Sequence, residues 1–287
     1  MKKILIMNKY HFVSGGAERY FISIMEAIRR RGIEPVPFSV NYQNTLPSPY
    51  QRYFIEPVVP GEAAKILHQH PSWAQKWRLF CRAVYNNLAF KAVTRIIEEQ
   101  SPDVAYFLNF NNHISPSAIR ACVRKGVPVI MRMSDFNLVC SSNMYYRGGH
   151  PCTDCKKGLY HAVIHRCVHG SYAKSLASVV AIRAHRLWRI YDQVSAFVCP
   201  SPFMKRELEE LGIPPEKIRQ INTFATPQRA GRPTWKRLIF YTAAGWLLTR
   251  ASTWRSVLFP VSGINSQRSI FMCSAMSRMM IQNVSVR

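Results

Sequence analysis

The chain has 287 residues, 48% of them hydrophobic, and a formal net charge of +24. This length and apolar content suffice for one large or two modest folded domains, and no run reaches the roughly 18 apolar residues of a membrane-spanning helix. The N-terminus lacks the form of a signal peptide, because its two lysines are followed directly by a strand-like run, so we expect a cytoplasmic protein.

The positive charge is unevenly distributed along the chain. All 15 Asp and Glu residues lie at or before Glu216, and residues 217–287 contain none. Folded surfaces normally mix both signs. Acid-free arms that bind nucleic acid are rich in lysine, whereas this segment is rich in Trp, Ser, Met and isolated Arg. We therefore take residues 1–222 as the informative part and do not expect nucleic-acid binding.

The chain opens with a predicted strand, a glycine turn and a helix. The apolar run at 4–8 indicates a strand buried on both faces, as in a parallel sheet. Residues 17–31 have apolar side chains at helical spacing, with Gly32 as the stop. The adjacent Gly15 and Gly16 stand at the helix N-terminus, where backbone amides and the helix dipole favour an anion. A tight turn without any ligand fits the same two glycines.

Strands and helices alternate along the rest of the region. The next predicted elements are a strand at 35–40, a proline-rich loop at 41–62, and a basic helix or helix pair at 73–99. These are followed by a strand at 103–109, a helix at 115–126 capped by Ser115, strands at 127–133 and 196–199, helices at 172–192 and 201–212, and a strand at 217–222. This order predicts an α/β fold with a doubly wound parallel sheet.

The predicted helical region 73–99 can direct Leu88 inward, and it also combines tryptophan with cations. Trp73 and Trp77 stand beside Lys76 and Arg78. This composition suits contact with an anionic membrane, at roughly 1 kcal/mol per basic residue near the surface. A helix with an ordinary solvated basic face fits the same pattern.

Four of the eight cysteines fall in one predicted loop. Their spacing is C-x11-C-x2-C-x11-C, formed by Cys140, Cys152, Cys155 and Cys167. A Cys-x2-Cys hook can wrap two thiolates around a zinc ion, and four thiolates would form a closed structural site that folds the loop. Reduced cysteines are an equally good interpretation in a cytosolic protein, and a redox cluster is a third.

Three segments give residues 1–222 a resemblance to a known family. The opening ILIMNKYHFVSGGAERYFISIMEAIRRRG looks like the first strand, Gly-Gly-x-Glu loop and first helix of family 4 glycosyltransferases. VPVIMRMSDFNLVC is similar to a family strand that ends in His-Asp-aromatic. VCPSPFMKRELEELGIPPEKIRQIN resembles the family segment that leads into the second domain. The resemblance implies the acceptor-side, N-terminal Rossmann-like domain of a two-domain GT-B enzyme.

The resemblance also implies a function and roles for individual residues. The family members are retaining transferases of polysaccharide biosynthesis, which move a sugar from a nucleotide-sugar donor to a glycan or lipid-linked acceptor without a catalytic metal. The likeness puts Gly15 and Gly16 near the donor diphosphate and makes Glu18 a residue that caps or orients the helix start. Asp135 matches the strand-end aspartate, although Ser134 replaces the usual histidine. His113 follows a strand and could face the cleft; a plain loop position fits equally.

Residues 223–287 do not continue the family pattern. A donor-binding domain needs on the order of 100 or more residues, and 65 residues follow Asn222. Shifting the possible codons of residues 245–255 by two nucleotides permits Arg-Leu-Ala-Ala-Asp-Lys-Gly-Val-Asp-Val, which resembles the opening of a donor domain. We therefore expect a truncated or frameshifted C-terminus and negligible activity of the chain alone; a native basic tail is the competing explanation. The alternative function is a non-catalytic, zinc-stabilised module that docks on a membrane or partner.

Overall fold

The computed structural model describes residues 2–61 and 71–223. The expectations about the tail from residue 224 onward, including the frameshift, lie outside these residues. Within the two described ranges, no helix combines the length and apolar character needed to cross a bilayer.

A six-stranded sheet forms the centre of the described region, and all of its strand pairs are parallel. A short antiparallel hairpin, β5 and β6, stands apart from it. The strands are β1 Lys3–Met7, β2 Glu34–Phe38, β3 Val104–Phe107, β4 Val129–Arg132, β5 Tyr146–Arg147, β6 His150–Pro151, β7 Ala196–Cys199 and β8 Ile218–Gln220. The order in the main sheet is β2-β1-β3-β4-β7-β8. Pro35 and Pro37 lie in β2, which is an edge strand, where a missing N–H donor is tolerated.

The connections between strands are mostly helical. The helices are α1 Gly16–Arg29, α2 Trp73–Val84, α3 Asn87–Gln100, α4 Ser117–Arg124, α5 Asp154–Lys157, α6 Tyr160–Ile164, α7 Tyr172–Leu187 and α8 Pro202–Glu210. Short 3₁₀ turns occupy Gln51–Tyr53, Ile190–Gln193 and Pro215–Lys217. Side-chain caps explain several helix starts: Ser72 forms a capping box with Gln75 at α2, and Ser201 accepts a hydrogen bond from the Met204 amide at α8.

Helices cover both faces of the sheet. On one face, Ile4 and Ile6 of β1 pack against Tyr20, Phe21 and Met25 of α1. On the other face, a larger core joins the alternate residues of the strands to helices α3, α4, α7 and α8. Its fully buried aromatic side chains are Phe38, Phe107, Phe110 and Phe197. The predicted doubly wound α/β fold is therefore confirmed.

Three local predictions were wrong in detail. Leu88 is 51% exposed rather than buried, because the chain breaks at Asn86, which caps α3 and resets the helical phase. Ser115 does not cap a helix directly; it has φ of 65°, and α4 begins at Ser117. The long predicted helix ends at Leu187, and Arg189 adopts φ of 50° before the 3₁₀ turn at 190–193.

The strand order creates a switch point at the carboxyl ends of β1 and β3. From β1 the chain moves outward to β2 and then returns to β3 on the other side of β1. Ligands of open parallel sheets bind in the crevice that opens at such a point. Asn8 fixes the two strand ends to each other, since its side-chain oxygen accepts a hydrogen bond from the Asn109 amide at 3.2 Å.

Candidate functional site

The glycine turn lies just beyond the carboxyl end of β1. Gly15 is the extended N-cap residue of α1, and Gly16 is the first residue of the helix. A Cβ atom at Gly15 would lie 3.3 Å from Oε2 of Glu18, whereas a Cβ at Gly16 would meet nothing within 4 Å. The packing of the described residues thus leaves open space at Gly16, and this is the position at which a bound molecule could approach the backbone.

Glu18 folds back over the start of its own helix. Its side chain is 5% exposed, and its carboxylate lies against Gly15. A carboxylate in the first turn interacts favourably with the positive end of the helix dipole. This geometry suits a residue that orients the helix start better than one that reacts with a substrate.

A second group of polar residues follows the carboxyl ends of β1, β3 and β4. It consists of Lys9, His113 and Asp135. Burial is the largest cause of the pKa shifts of His113 and Asp135. The positive charge of Lys9 adds to the lowering of the pKa of His113 and opposes the rise in the pKa of Asp135. Sequence reasoning named His113 and Asp135 but missed Lys9, although it too follows a strand end.

The imidazole of His113 is held in its neutral form. Burial is the main cause that lowers the pKa of His113 to about 3, and the charges of Lys9 and Arg82 lower it further. Its Nδ1 atom lies 3.2 Å from the hydroxyl oxygen of Tyr42. At neutral pH, His113 can therefore exchange hydrogen bonds with a substrate hydroxyl but carries no charge.

Asp135 is a carboxylate in a poorly solvated position. Burial raises the pKa of Asp135, and the Asn137 backbone amide, which donates to its Oδ1 at 3.1 Å, partly offsets this rise. The neighbouring Ser134 is exposed and its hydroxyl oxygen accepts a hydrogen bond from Arg132 at 3.0 Å. A carboxylate of this kind is suited to accepting a hydrogen bond from a ligand hydroxyl.

Arg132 is a further polar residue that sequence reasoning missed. It is the last residue of β4, and its guanidinium lies 4.1 Å from the centre of the Tyr20 ring in α1. The end of β4 is thereby connected to the first turns of the helix that follows the glycine turn. The only sequence signal for it is a cation inside an otherwise apolar strand.

The cysteine loop folds back on the core without forming the expected zinc site. Cys140 and Cys155 are buried, and Cys140 Sγ lies 3.2 Å from the Ser142 hydroxyl. The hydrogen bond from Cys155 lowers the pKa of Cys140 to about 5 and raises the pKa of Cys155. Cys152 turns elsewhere, since its thiol donates to Asp154 at 3.4 Å.

These contacts do not support the zinc hypothesis. The two thiols of the Cys-x2-Cys hook have different partners: Cys152 donates to Asp154, and Cys155 interacts with Cys140. Over the described ranges, no group of three or more His, Cys, Asp or Glu residues is arranged to hold a metal ion. The cysteines of this part of the chain are free thiols, and their arrangement gives no support to a zinc site formed by Cys140, Cys152, Cys155 and Cys167.

We therefore expect the purified protein to contain far less than one zinc per chain. Because the loop is held by hydrogen bonds and apolar packing, EDTA should leave the Tm unchanged. Mass spectrometry of the native protein and a thermal melt with and without the chelator measure both quantities. One zinc per chain that is lost in the Cys155→Ser variant would contradict this prediction.

A surface cavity of about 640 Å³ lies beside α7 and β7, away from the glycine turn. Its charged side chains already have partners. Arg189 pairs with Asp192 at 2.6 Å, Lys217 donates to the Asp192 carbonyl at 2.7 Å, and Arg186 donates to the Leu138 carbonyl at 2.6 Å. This cavity therefore gives no sign of a charged ligand.

Comparison with known proteins gives one family match. The sequence profile of the family described as Glycosyltransferase Family 4 matches residues 14–229, a range that contains the glycine turn and all the predicted site residues. No curated protein matches the chain.

Several solved structures are similar to this chain at low sequence identity. UDP-N-acetylglucosamine 2-epimerase from Rickettsia bellii has a TM-score of 0.42 and 10% identity, over 88% of this chain and 50% of that chain. MnaA of S. aureus with UDP has a TM-score of 0.38 and 11% identity, over 76% and 44%. HepE of Anabaena with UDP-glucose has a TM-score of 0.37 and 14% identity, over 78% and 44%. The chain spans about half the length of these structures or less.

Proposed function

This chain belongs to glycosyltransferase family 4, and we propose that it supplies the acceptor-side lobe of a retaining transferase. In this proposal, a sugar moves from a nucleotide-sugar donor to a glycan or lipid-linked acceptor during polysaccharide biosynthesis. The observation that carries the proposal is the glycine turn at the carboxyl end of β1, because it lies within the matched residues and combines open space at Gly16 with a helix N-terminus.

Each residue of the site has a proposed role in that reaction. The amides of Gly15 and Gly16 face the donor diphosphate, and the dipole of α1 stabilises its negative charge. Glu18 keeps the helix start in position. Asp135 accepts a hydrogen bond from an acceptor hydroxyl, and neutral His113 orients the same substrate.

We also propose that residues 1–222 form this lobe and that residues 223–287 do not supply a donor-binding lobe. The absence of acidic residues from 217 to 287 supports this division. Transfer requires donor and acceptor to be held together with charge-stabilising groups around the departing diphosphate, so we expect negligible turnover by the chain alone. Sequencing the DNA around codons 222–245 in all frames tests the frameshift explanation.

The two glycines provide a test of the proposed donor contact. We expect the full chain to bind UDP-glucose weakly. We expect Gly16→Val to abolish that binding while changing the Tm little, since a side chain at Gly16 meets open space among the described residues. Saturation-transfer NMR with UDP-glucose measures binding. The matched control is Ala17→Val, on the next residue of α1, which should retain the signal.

Two results would contradict the proposal at this site. One is an unchanged UDP-glucose signal in Gly16→Val. The other is ordinary enzymatic turnover of a nucleotide sugar by the purified chain, which would show that a donor lobe is present after all.

We further propose peripheral contact with the cytoplasmic face of an anionic membrane, through α2 and α7. None of the twelve residues of α2 is buried, and Trp73 and Trp77 are 85% and 66% exposed. Helix α2 packs along α7. Four residues of α7 share one face at helical spacing and are exposed: Tyr172, Leu176, Val180 and Leu187.

The charge of this two-helix surface supports a membrane as the partner. The chain has no Asp or Glu between Ala63 and Ile97 or between Lys156 and Tyr191, so both helices lack acidic residues altogether. Exposed aromatic rings among cations are typical of surfaces that lie in the lipid headgroup region. A transferase with a lipid-linked acceptor would be brought to its substrate by such contact.

A further inference from the structure

Arg132 is a buried cation at the carboxyl end of β4. Arg132 is only 6% exposed. Nη1 donates to the Ser134 hydroxyl at 3.0 Å and Nη2 donates to the Thr223 hydroxyl at 2.6 Å. The third nitrogen, Nε, is buried and has no hydrogen-bond partner among the residues that the structure describes.

The positive charge of Arg132 is not compensated within the described residues. Both of its hydrogen-bond acceptors are neutral hydroxyls, and none of the ion pairs formed within the described residues includes Arg132. Removing a guanidinium from water costs several kcal/mol unless an anion repays that cost. Buried arginines are accordingly found with carboxylate or phosphate partners, and here such a partner is missing from the described chain.

The surroundings of Arg132 point to the same edge of the sheet as the glycine turn. Its guanidinium stacks 4.1 Å from the centre of the Tyr20 ring, and Tyr20 lies about one helical turn after Gly16. The Tyr20 hydroxyl is in turn 3.4 Å from that of Tyr106 in β3. The cation is thus fixed beside the first turns of α1, whose N-terminal amides also attract anions.

We propose that Arg132 is a binding residue for a phosphate-bearing substrate, with Nε and the positive charge reserved for a phosphate oxygen. The proposal rests on the proposed function, because it assigns the phosphate to a substrate of the transferase. Two sources share this chemistry: the diphosphate of the nucleotide-sugar donor and the phosphate of a lipid-linked acceptor. The hydroxyls of Ser134 and Thr223 hold the guanidinium plane in position, which limits the ordering required when the phosphate binds.

Pyrophosphate without metal is the probe for this site, with the full chain as the protein. We expect pyrophosphate to raise the Tm of the wild type and Arg132→Gln to reduce the apparent affinity at least tenfold, since one charge-assisted contact is lost. The matched control is Arg30→Gln, which removes the same charge from an exposed residue at the end of α1 and should keep the wild-type affinity. Arg132→Lys keeps the charge without the planar fork, and we expect it to be intermediate.

Different outcomes separate a binding role from a structural one. If Arg132→Gln melts earlier without ligand but gains the same pyrophosphate shift as the wild type, the residue is structural and the proposal is overturned. If Arg132→Gln does not fold, the Arg132→Lys variant is compared with Arg30→Lys as its control. Equal pyrophosphate affinities of these two variants would also overturn the proposal.

Competition identifies the phosphate source and keeps this inference distinct from the proposed function. Displacement of pyrophosphate by UDP-glucose, or by a short polyprenyl phosphate, supports the site and names its source; displacement by neither overturns it. A pyrophosphate site that depends on Arg132, combined with Gly16→Val leaving UDP-glucose binding unchanged, would preserve the site and refute the proposed donor contact. UDP-glucose binding that is lost in Gly16→Val, combined with a wild-type pyrophosphate affinity in Arg132→Gln, would support the proposed donor contact and overturn the Arg132 site.

Discussion

Replacing Trp73 and Trp77 together by alanine is expected to weaken binding of the protein to anionic vesicles about 100-fold. The estimate follows from burial of apolar surface, because each large side chain removed from water contributes at least about 1.5 kcal/mol and each 1.4 kcal/mol is a factor of ten. The two rings are 85% and 66% exposed, so most of their surface is available to the headgroup region. A co-sedimentation titration with vesicles that contain phosphatidylserine measures the partition coefficient.

The fold should be unaffected by this double substitution, since α2 has no buried residue and retains its capping box at Ser72. The matched control is Trp73→Phe with Trp77→Phe, which keeps two aromatic rings and should retain most of the binding. Raising the salt concentration should weaken the wild type, because the contribution of Lys76 and Arg78 is screened. Equal binding of the wild type to neutral and anionic vesicles, or of the alanine variant and the wild type, would contradict the proposed membrane surface.

Helix α7 extends the proposed membrane surface beyond the region that the sequence indicated. Leu187 is 81% exposed and lies at the end of the apolar stripe of α7. The sequence analysis placed membrane contact between residues 73 and 99 alone. It missed α7 because α2 packs along a helix that lies about 100 residues further along the chain. Such a pairing depends on the tertiary fold and cannot be read from local composition.

The architecture was predictable because each strand and helix carries its own local signal. Buried strands appear as short apolar runs, and serine or asparagine marks several helix starts, as at Ser201. The errors arose where neighbouring elements decide the outcome. Asn86 ends one helical phase and starts another, which leaves Leu88 in solvent. Ser115 points its hydroxyl to the Asn86 and Ser117 amides instead of capping a longer helix.

The candidate site was predictable in part for a related reason. The strand-end positions of Gly15, His113 and Asp135 follow from motifs in the sequence. The strand order β1-β3-β4 determines which strand ends are neighbours, and it was needed to find that Lys9 acts on both His113 and Asp135.

Besides the strand order, the directions of individual side chains could not be predicted from the sequence. A cation in a strand could point to solvent, so the burial of Arg132 against Tyr20 was not visible. The spacing of Cys152 and Cys155 likewise fitted a zinc hook, whereas their thiols turn to different partners.

His113 makes the stability of the fold sensitive to acid, and this is the second large effect that we expect. Burial lowers the pKa of His113 to about 3 in the folded chain, against an ordinary value of about 6.5 in the unfolded chain. His113 is neutral when deprotonated, and its pKa is lower in the folded chain than in the unfolded chain. It therefore contributes its full stabilisation above pH 6.5, and this stabilisation is lost as the pH falls towards 3. Between pH 7 and pH 5 the loss from this one residue is about 2 kcal/mol.

The His113→Gln variant should therefore lose about 2 kcal/mol less than the wild type between pH 7 and pH 5, measured by urea denaturation at both values. Burial also lowers the pKa of His11 and His185, so the variant should keep a shallower acid dependence and not become flat. Tyr42→Phe removes the hydroxyl partner but leaves the ring over His113. Because burial and not this hydrogen bond depresses the pKa of His113, Tyr42→Phe should lose stability between pH 7 and pH 5 as the wild type does. If His113→Gln also loses as much stability as the wild type, the imidazole is already solvated in the folded chain and the prediction is contradicted.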